Sequence, residues 1–150
     1  MSVLCTCLMI VACGGLRSHG DQSLYQQLGG ETVLRAVASD TVDTIADSAE
    51  GQRSFAQVKR PRVKARLFEF LCVTADGPCE YKGDDMARVH RGLGINEREW
   101  NALVEILRRT LAAHRVSQTA SNRLLKRLAP LYRVIVTADA SPASNTGHRI

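Results

Sequence analysis

Helical spacing of apolar residues is the feature that most restricts the fold of this chain. Apolar side chains recur every three or four positions through most of the sequence, and no stretch alternates apolar and polar residues as a strand would. Breaks fall at Gly29-Gly30, at the segment 75–78 and at Gly92 and Gly94. The pattern predicts an all-α protein, and 150 residues suffice for one domain.

The first half of the chain is predicted to hold one short and two long helices. Ser23 caps a short helix that runs to Gln27, and the next helix runs from Glu31 to about Ser48. Residues 49–60 are predicted to be irregular, and Pro61 opens the second long helix. The apolar stripe of that helix is predicted to consist of Val63, Leu67, Phe70, Leu71 and Val73.

The second half is predicted to hold one short and two long helices as well. The short helix carries Met86 and His90, which are four residues apart and therefore on one face. Glu99 stands where a capping box requires it, and Pro130 kinks or splits the last helix. The predicted N-caps are Asp84 or Asp85, then Asn96, then Ser117.

The net charge of +5 does not indicate nucleic-acid binding. Such binding needs basic residues on one stripe together with stacking aromatic side chains. Aromatic residues make up only 5% of the chain, and Lys and Arg are spread along it. We interpret the charge as a solvated surface and expect no nucleic-acid partner.

The N-terminal segment 1–13 has the pattern of an export signal. Its apolar run is too short to span a bilayer and ends in Ile10-Val11-Ala12-Cys13, which resembles a bacterial lipobox. The resemblance implies lipidation of Cys13, membrane attachment and a periplasmic location in the cell envelope. Residues 14–21 would then form a tether. No Lys or Arg precedes the run, so the alternative is an apolar tail on a cytoplasmic protein.

Several sequence blocks occur in one order along residues 22–138. They are Leu24 to Gly30, a lone Phe55, Asp76-Gly77-Pro78, Tyr81-Lys82-Gly83 and the run from Met86 to Ile95. Together these blocks resemble the group I truncated haemoglobins. The resemblance implies a two-over-two helical sandwich around a haem, with residues 139–150 forming a disordered tail.

The resemblance makes His90 the proximal ligand of the haem iron. A haem b needs an imidazole on one face of its iron and an apolar slot around its ring. The other three histidines fit less well, because His19 and His148 lie near the termini and His114 lies at a helix end. No Cys-x-x-Cys-His motif occurs, so covalent attachment is not indicated.

The family pattern assigns further residues to the haem pocket. Phe55 matches the residue that packs on the haem plane, and Arg66 or Arg62 would pair with the haem propionates. Plain core packing or a solvated surface is the alternative for each. The expected apolar contacts are Val63, Leu67, Phe70, Leu71, Met86, Ile95, Trp100 and Leu103.

The distal side departs from the family pattern. Family members often carry a Tyr and a Gln where this chain has Thr41 and Leu67, with Val63 nearby. A strong donor to bound oxygen contributes on the order of 1.5–3 kcal/mol, or roughly tenfold in affinity. We therefore expect modest oxygen affinity, fast release, ready autoxidation and a five-coordinate ferrous iron.

Cys72 and Cys79 flank the break after the middle helix. In an exported protein they would form a disulfide, and otherwise they are two free thiols.

The pattern favours a globin that reversibly binds a diatomic gas, most simply oxygen, with nitric oxide and carbon monoxide as other ligands. It would need a reductase that the sequence does not identify. The alternatives are a haem redox enzyme, such as a nitric oxide dioxygenase or weak peroxidase, and a sensing or interaction module. A peroxidase needs a distal proton shuttle, which the sequence lacks.

Overall fold

Residues 22–136, the part of the chain that the computed structural model describes, form α-helices and no strand. The prediction of an all-α fold is therefore confirmed. The helices are α1 (Leu24–Gln27), α2 (Gly30–Asp47), α3 (Gln52–Phe55), α4 (Arg60–Thr74), α5 (Met86–His90), α6 (Glu97–Ala113), α7 (Gln118–Leu128) and α8 (Tyr132–Ile135). A 3-10 turn, Ala129–Leu131, connects α7 to α8 at Pro130, where the sequence predicts a kink or break.

Two helix pairs form the body of the molecule. In one pair α2 packs against α4, in the other α6 packs against α7, and α2 also packs against α6. Two ion pairs, Asp47 with Arg60 and Asp43 with Lys64, join α2 to α4. The main core lies between the pairs and contains Leu24, Leu28, Leu34, Val37, Ala38, Phe68, Leu71, Cys72, Ala75, Leu107, Leu111, Ala120 and Leu124.

Side-chain caps start the helices at the predicted residues. Ser23 forms a capping box with Gln26, and Asn96 forms one with Glu99. The side chains of Asp85 and Ser117 accept hydrogen bonds from backbone amides in the first turns of α5 and α7. These caps satisfy amides that the helices themselves leave unpaired.

The prediction of irregular structure across residues 49–60 is wrong for α3. The connection from α2 into α3 turns sharply at Gly51, where a Cβ atom would collide with the backbone carbonyl of Ile45. Ser48 supports the turn, because its hydroxyl donates to that carbonyl and accepts from the amide of Gly51. A four-residue helix held in this way has no apolar repeat that a sequence pattern could reveal.

The buried face of α4 also differs from the predicted stripe. Val73 is 43% exposed, whereas Phe68 is buried in the main core. The guanidinium of Arg35 in α2 lies 3.8 Å from the centroid of the Phe68 ring. The core-facing side of α4 is therefore rotated toward Phe68 relative to the prediction.

A disulfide joins Cys72, at the end of α4, to Cys79 in the following loop. Among residues 22–136, no helix has the length and apolar character needed to cross a bilayer. The predicted signal ending at Cys13, the tether 14–21 and the tail 139–150 lie outside the described residues.

Candidate functional site

The imidazole of His90 has the orientation of a metal ligand. Its Nδ1 atom lies 2.9 Å from the backbone oxygen of Met86, one turn earlier in α5. A carbonyl oxygen can only accept a hydrogen bond, so Nδ1 carries a proton, and in the neutral imidazole Nε2 keeps its lone pair. A second hydrogen bond of this kind fixes the ring of a histidine that binds a metal.

Helix α8 contacts both the helix of His90 and the start of α6. Helix α5 packs chiefly against α8, and Tyr132 of α8 meets Trp100 of α6 edge to face, with ring centroids 5.8 Å apart. Through α8, the helix that carries Met86 and His90 is connected to the predicted contact Trp100.

Most of the predicted apolar contacts are half-buried. They come from α3, α4, α5, α6 and the loop before α6, and none belongs to the fully buried core. Each therefore offers apolar surface that the core does not cover, which fits a large, flat, apolar group such as a haem. The residues are Phe55, Val63, Leu67, Phe70, Met86, Ile95, Trp100 and Leu103.

Two of the predicted haem contacts, Leu71 and Phe70, also pack against other side chains of the protein. Leu71 is fully buried in the main core. Phe70 packs edge to face against Tyr81, with ring centroids 5.4 Å apart. The hydroxyl of Tyr81 donates to the carbonyl of Asp84, one residue before the cap of α5. These contacts connect the middle of α4 to the start of the helix that carries His90.

Thr41 lies on the buried face of α2 with 1% of its surface exposed. Its hydroxyl has no hydrogen-bond partner among the residues that the structure describes. Buried hydroxyls are normally paired, so an unpaired one is consistent with a place for a small polar ligand.

Val42 is a candidate distal residue that the sequence did not single out. Val42 is 2% exposed and follows Thr41 on the buried side of α2. Like Thr41, it is not among the residues of the main core. A valine in an apolar stripe resembles any core residue, so no sequence signal marks it.

The two cations predicted to bind propionates differ in their surroundings. Both side-chain oxygens of Glu69 accept hydrogen bonds from Arg66, at 2.8 and 2.5 Å. Arg62 is exposed. The backbone amide of Lys82, and next the Arg66 guanidinium, lower the pKa of Glu69, although desolvation opposes them. A propionate would therefore compete with Glu69 for Arg66, whereas Arg62 lies on the open surface.

The helical arrangement is that of a haem-binding globin, and comparison with known proteins agrees. A model of the bacterial-like globin family matches residues 23–137. The chain therefore belongs to the bacterial-like globin family.

Curated relatives confirm the resemblance to group I truncated haemoglobins. The chain is 27% identical over 118 residues to a group 1 truncated haemoglobin of Mycolicibacterium paratuberculosis, covering 79% of this chain and 87% of the relative. It is 25% identical over 105 residues to one from Tetrahymena pyriformis, covering 70% of this chain and 87% of the relative.

Solved structures confirm the two-over-two truncated globin fold. The ferric truncated haemoglobin of Tetrahymena pyriformis superposes with a TM-score of 0.74 at 22% identity, covering 78% of this chain and 100% of that one. A Synechococcus 2/2 haemoglobin with covalently attached haem gives a TM-score of 0.66 at 20% identity, covering 72% of this chain and 91% of that one.

Proposed function

We propose that this globin binds a b-type haem through Nε2 of His90 and reversibly binds a diatomic gas, oxygen first among them. The observation that carries the proposal is the hydrogen bond between Nδ1 of His90 and the carbonyl of Met86. It fixes the neutral tautomer whose free nitrogen suits ferrous iron. A bound haem supplies the iron at which the gas is held.

The residues of this chain would orient the His90 ring and exclude water from the haem pocket. Met86 holds the His90 ring through its carbonyl, and its half-buried side chain would contact the same side of the haem. The half-buried residues of α3, α4 and α6 supply the apolar walls. Such walls would limit access of water to the haem, while the lack of a strong distal donor still leads us to expect ready autoxidation of the oxygen complex.

The distal side would be formed by Thr41, Val42, Val63 and Leu67. Only Thr41 among them has a side-chain donor, and its hydroxyl is buried and unpaired within the described residues. A neutral hydroxyl is a weaker donor than a charged one, which supports modest oxygen affinity and fast release. None of the four has a nitrogen that could bind the iron, which supports a five-coordinate ferrous state.

Absorption spectra of the purified protein test this proposal. We expect a Soret band and a pyridine complex of the b type for the wild type, and loss of the five-coordinate ferrous spectrum in His90→Ala. His114→Ala is the matched control, because His114 is also half-buried but is bonded to Asp40 at the far end of α6. A His90→Ala variant with the wild-type ferric and ferrous spectra would disprove the ligand assignment. A six-coordinate low-spin ferrous wild type would disprove the open sixth position.

We further propose that Cys13 is lipidated and anchors the globin in the bacterial envelope. The run Ile10-Val11-Ala12-Cys13 supports this, because it has the spacing of a lipobox. In a Gram-negative host we expect the wild type in the membrane fraction and Cys13→Ala outside it. Equal amounts of both proteins in the soluble fraction would contradict lipidation and favour a cytoplasmic globin.

A further inference from the structure

The side chain of Arg53 joins three segments that are distant in the sequence. From α3 it donates to the carbonyl of Leu93 at 2.6 Å and to the carbonyl of Gly94 at 3.1 Å. It also forms an ion pair with Glu99 in the first turn of α6 at 2.7 Å. These partners are 40, 41 and 46 residues away, so the contacts belong to the tertiary structure.

The Arg53 contacts differ from those of an ordinary surface ion pair, which contributes little to stability. The Arg53 side chain is 57% exposed, but the Glu99 side chain is only 10% exposed. One of its oxygens accepts from Arg53 and the other from the backbone amide of Asn96. The guanidinium therefore meets a carboxylate whose position the helix cap already fixes, so less side-chain freedom is lost on pairing.

Both carbonyls that Arg53 binds belong to the loop that directly follows His90. In that loop Gly92 has a φ of 79° and Gly94 a φ of 58°, and a Cβ atom at either would meet nothing within 4 Å. Open surroundings mean that packing does little to hold these two residues. The amide of Leu93 donates to the carbonyl of His90 at 3.1 Å, so a continuous set of hydrogen bonds runs from Arg53 through Leu93 to His90.

We propose that Arg53 is a positioning residue that holds the loop after His90 against α3. This inference rests on the proposed function, in which His90 binds the haem iron. Phe55 follows Arg53 by two residues in α3, and His90 precedes Leu93 by three. By joining the two segments, Arg53 fixes the separation between a residue that packs on the haem plane and the residue that binds its iron.

Haem retention and the iron–histidine bond test this role in the full-length protein. We expect Arg53→Ala to transfer haem to excess apomyoglobin about tenfold faster than the wild type, because charge-assisted bonds are lost. The iron–histidine stretching frequency of the ferrous protein should shift, since the His90 ring is less firmly held. Arg53→Lys, which keeps the charge but not the forked donor, should fall between the two.

Arg109→Ala is the matched control. Arg109 is an exposed arginine that also bonds to a carboxylate and a carbonyl, but both belong to Glu105 in its own helix. Its removal should change neither the haem transfer rate nor the stretching frequency. Equal values for Arg53→Ala and Arg109→Ala would overturn the proposal.

A readout without haem separates this proposal from the proposed function. Amide hydrogen exchange on full-length protein prepared without haem should quicken at residues 92–96 in Arg53→Ala and stay unchanged in Arg109→Ala. Faster exchange in a chain that shows no Soret band would disprove the haem function and leave only the loop contact. Normal haem binding with unchanged exchange and unchanged haem transfer would disprove the role of Arg53 alone.

Discussion

At the scale of single residues, the buried hydroxyl of Thr41 provides the most direct test of the distal side. Thr41→Val keeps the shape of the side chain and removes its donor. We expect oxygen to dissociate about three- to tenfold faster while carbon monoxide release changes less, because oxygen depends more on a donor. Laser photolysis and stopped-flow mixing give both rates.

Thr110→Val is the control for that substitution. The Thr110 hydroxyl is buried too, but it donates to the carbonyl of Ile106 in its own helix. Its replacement should leave both gas release rates at the wild-type values. If Thr41→Val also leaves oxygen release unchanged, Thr41 is not the donor to bound oxygen.

Glu69 should make the free energy of unfolding depend on pH in the acidic range. Its pKa lies below the usual value, chiefly because the Lys82 amide donates to the carboxylate and Arg66 pairs with it. A carboxylate of this kind stabilises the fold fully above its unfolded pKa of about 4.3, and the contribution is lost as the pH falls through the lower folded value. Glu69→Gln should therefore be less stable than the wild type at pH 7, and the difference should shrink toward pH 3.

Urea unfolding at a series of pH values measures this difference. Glu80→Gln is the control, because Glu80 is 81% exposed in its side chain and lies 3.9 Å from Lys82. Glu80→Gln should have the same free energy of unfolding as the wild type at every pH. A Glu69→Gln difference that is constant with pH would exclude the carboxylate charge as the cause.

At the scale of the helices, Gly51 determines where α3 begins. A methyl group at this position would collide with the Ile45 carbonyl, so Gly51→Ala must push α3 away from the end of α2. We expect a loss of about 1–3 kcal/mol in the free energy of unfolding, as for other overpacked sites. Haem should also dissociate faster, because α3 carries Arg53 and Phe55. Denaturant titration and haem transfer measure the two effects.

Ala56→Ser provides the comparison, because Ala56 is exposed just after the same helix. It should stay within about 0.5 kcal/mol of the wild type. A Gly51→Ala protein as stable as Ala56→Ser would show that the chain relaxes around the added methyl group without cost.

The disulfide between Cys72 and Cys79 should stabilise the loop after α4. Closing so small a loop restrains the unfolded chain by about 2.5 kcal/mol in the simple entropy model. Adding a reductant should therefore lower the free energy of unfolding by about that amount. Cys79→Ser should start at the lower value and show no response to the reductant. A wild type that does not respond would contain two free thiols in solution.

The sequence predicted helices well where a local signal marks their ends. Ser23, Asn96 and Ser117 act as caps because each side chain bonds to an amide only a few residues away. Helix α3 was missed because its position depends on Gly51 and Ile45 meeting in space. For the same reason, the burial of Phe68 in place of Val73 depends on contacts with other helices, including the core residues around Phe68 and Arg35 of α2.

At the scale of the whole molecule, haem binding should contribute much of the stability. The eight apolar side chains of the described residues that are half-buried and predicted to contact haem would gain burial from it. A ligand that binds only the folded state at about a thousand times its Kd adds about 4 kcal/mol. We expect a gain of this size when haem is added to the haem-free protein, and a much smaller gain in His90→Ala. Thermal unfolding with and without haem measures both.

The sequence could predict the fold and the short helix that carries His90 for one shared reason. The blocks that resemble the truncated haemoglobins are local, and His90 with Met86 forms its hydrogen bond within a single turn. The contacts of Arg53 with Leu93, Gly94 and Glu99 could not be predicted in this way. They join residues 40 or more positions apart, and an arginine outside any motif looks like a solvated surface residue.

The Cys72–Cys79 disulfide also changes how far apart helices α4 and α5 are along the covalent chain. From Cys72 to Met86 the backbone path is 14 residues (86 − 72), whereas from Cys79 it is 7 (86 − 79). Halving the length of a connecting segment raises the effective concentration of its two ends. It lowers the entropic cost of bringing them together by about 0.6 kcal/mol. With the disulfide in place, α4 and the helix of His90 would meet more often while the chain is still folding, before any haem has bound.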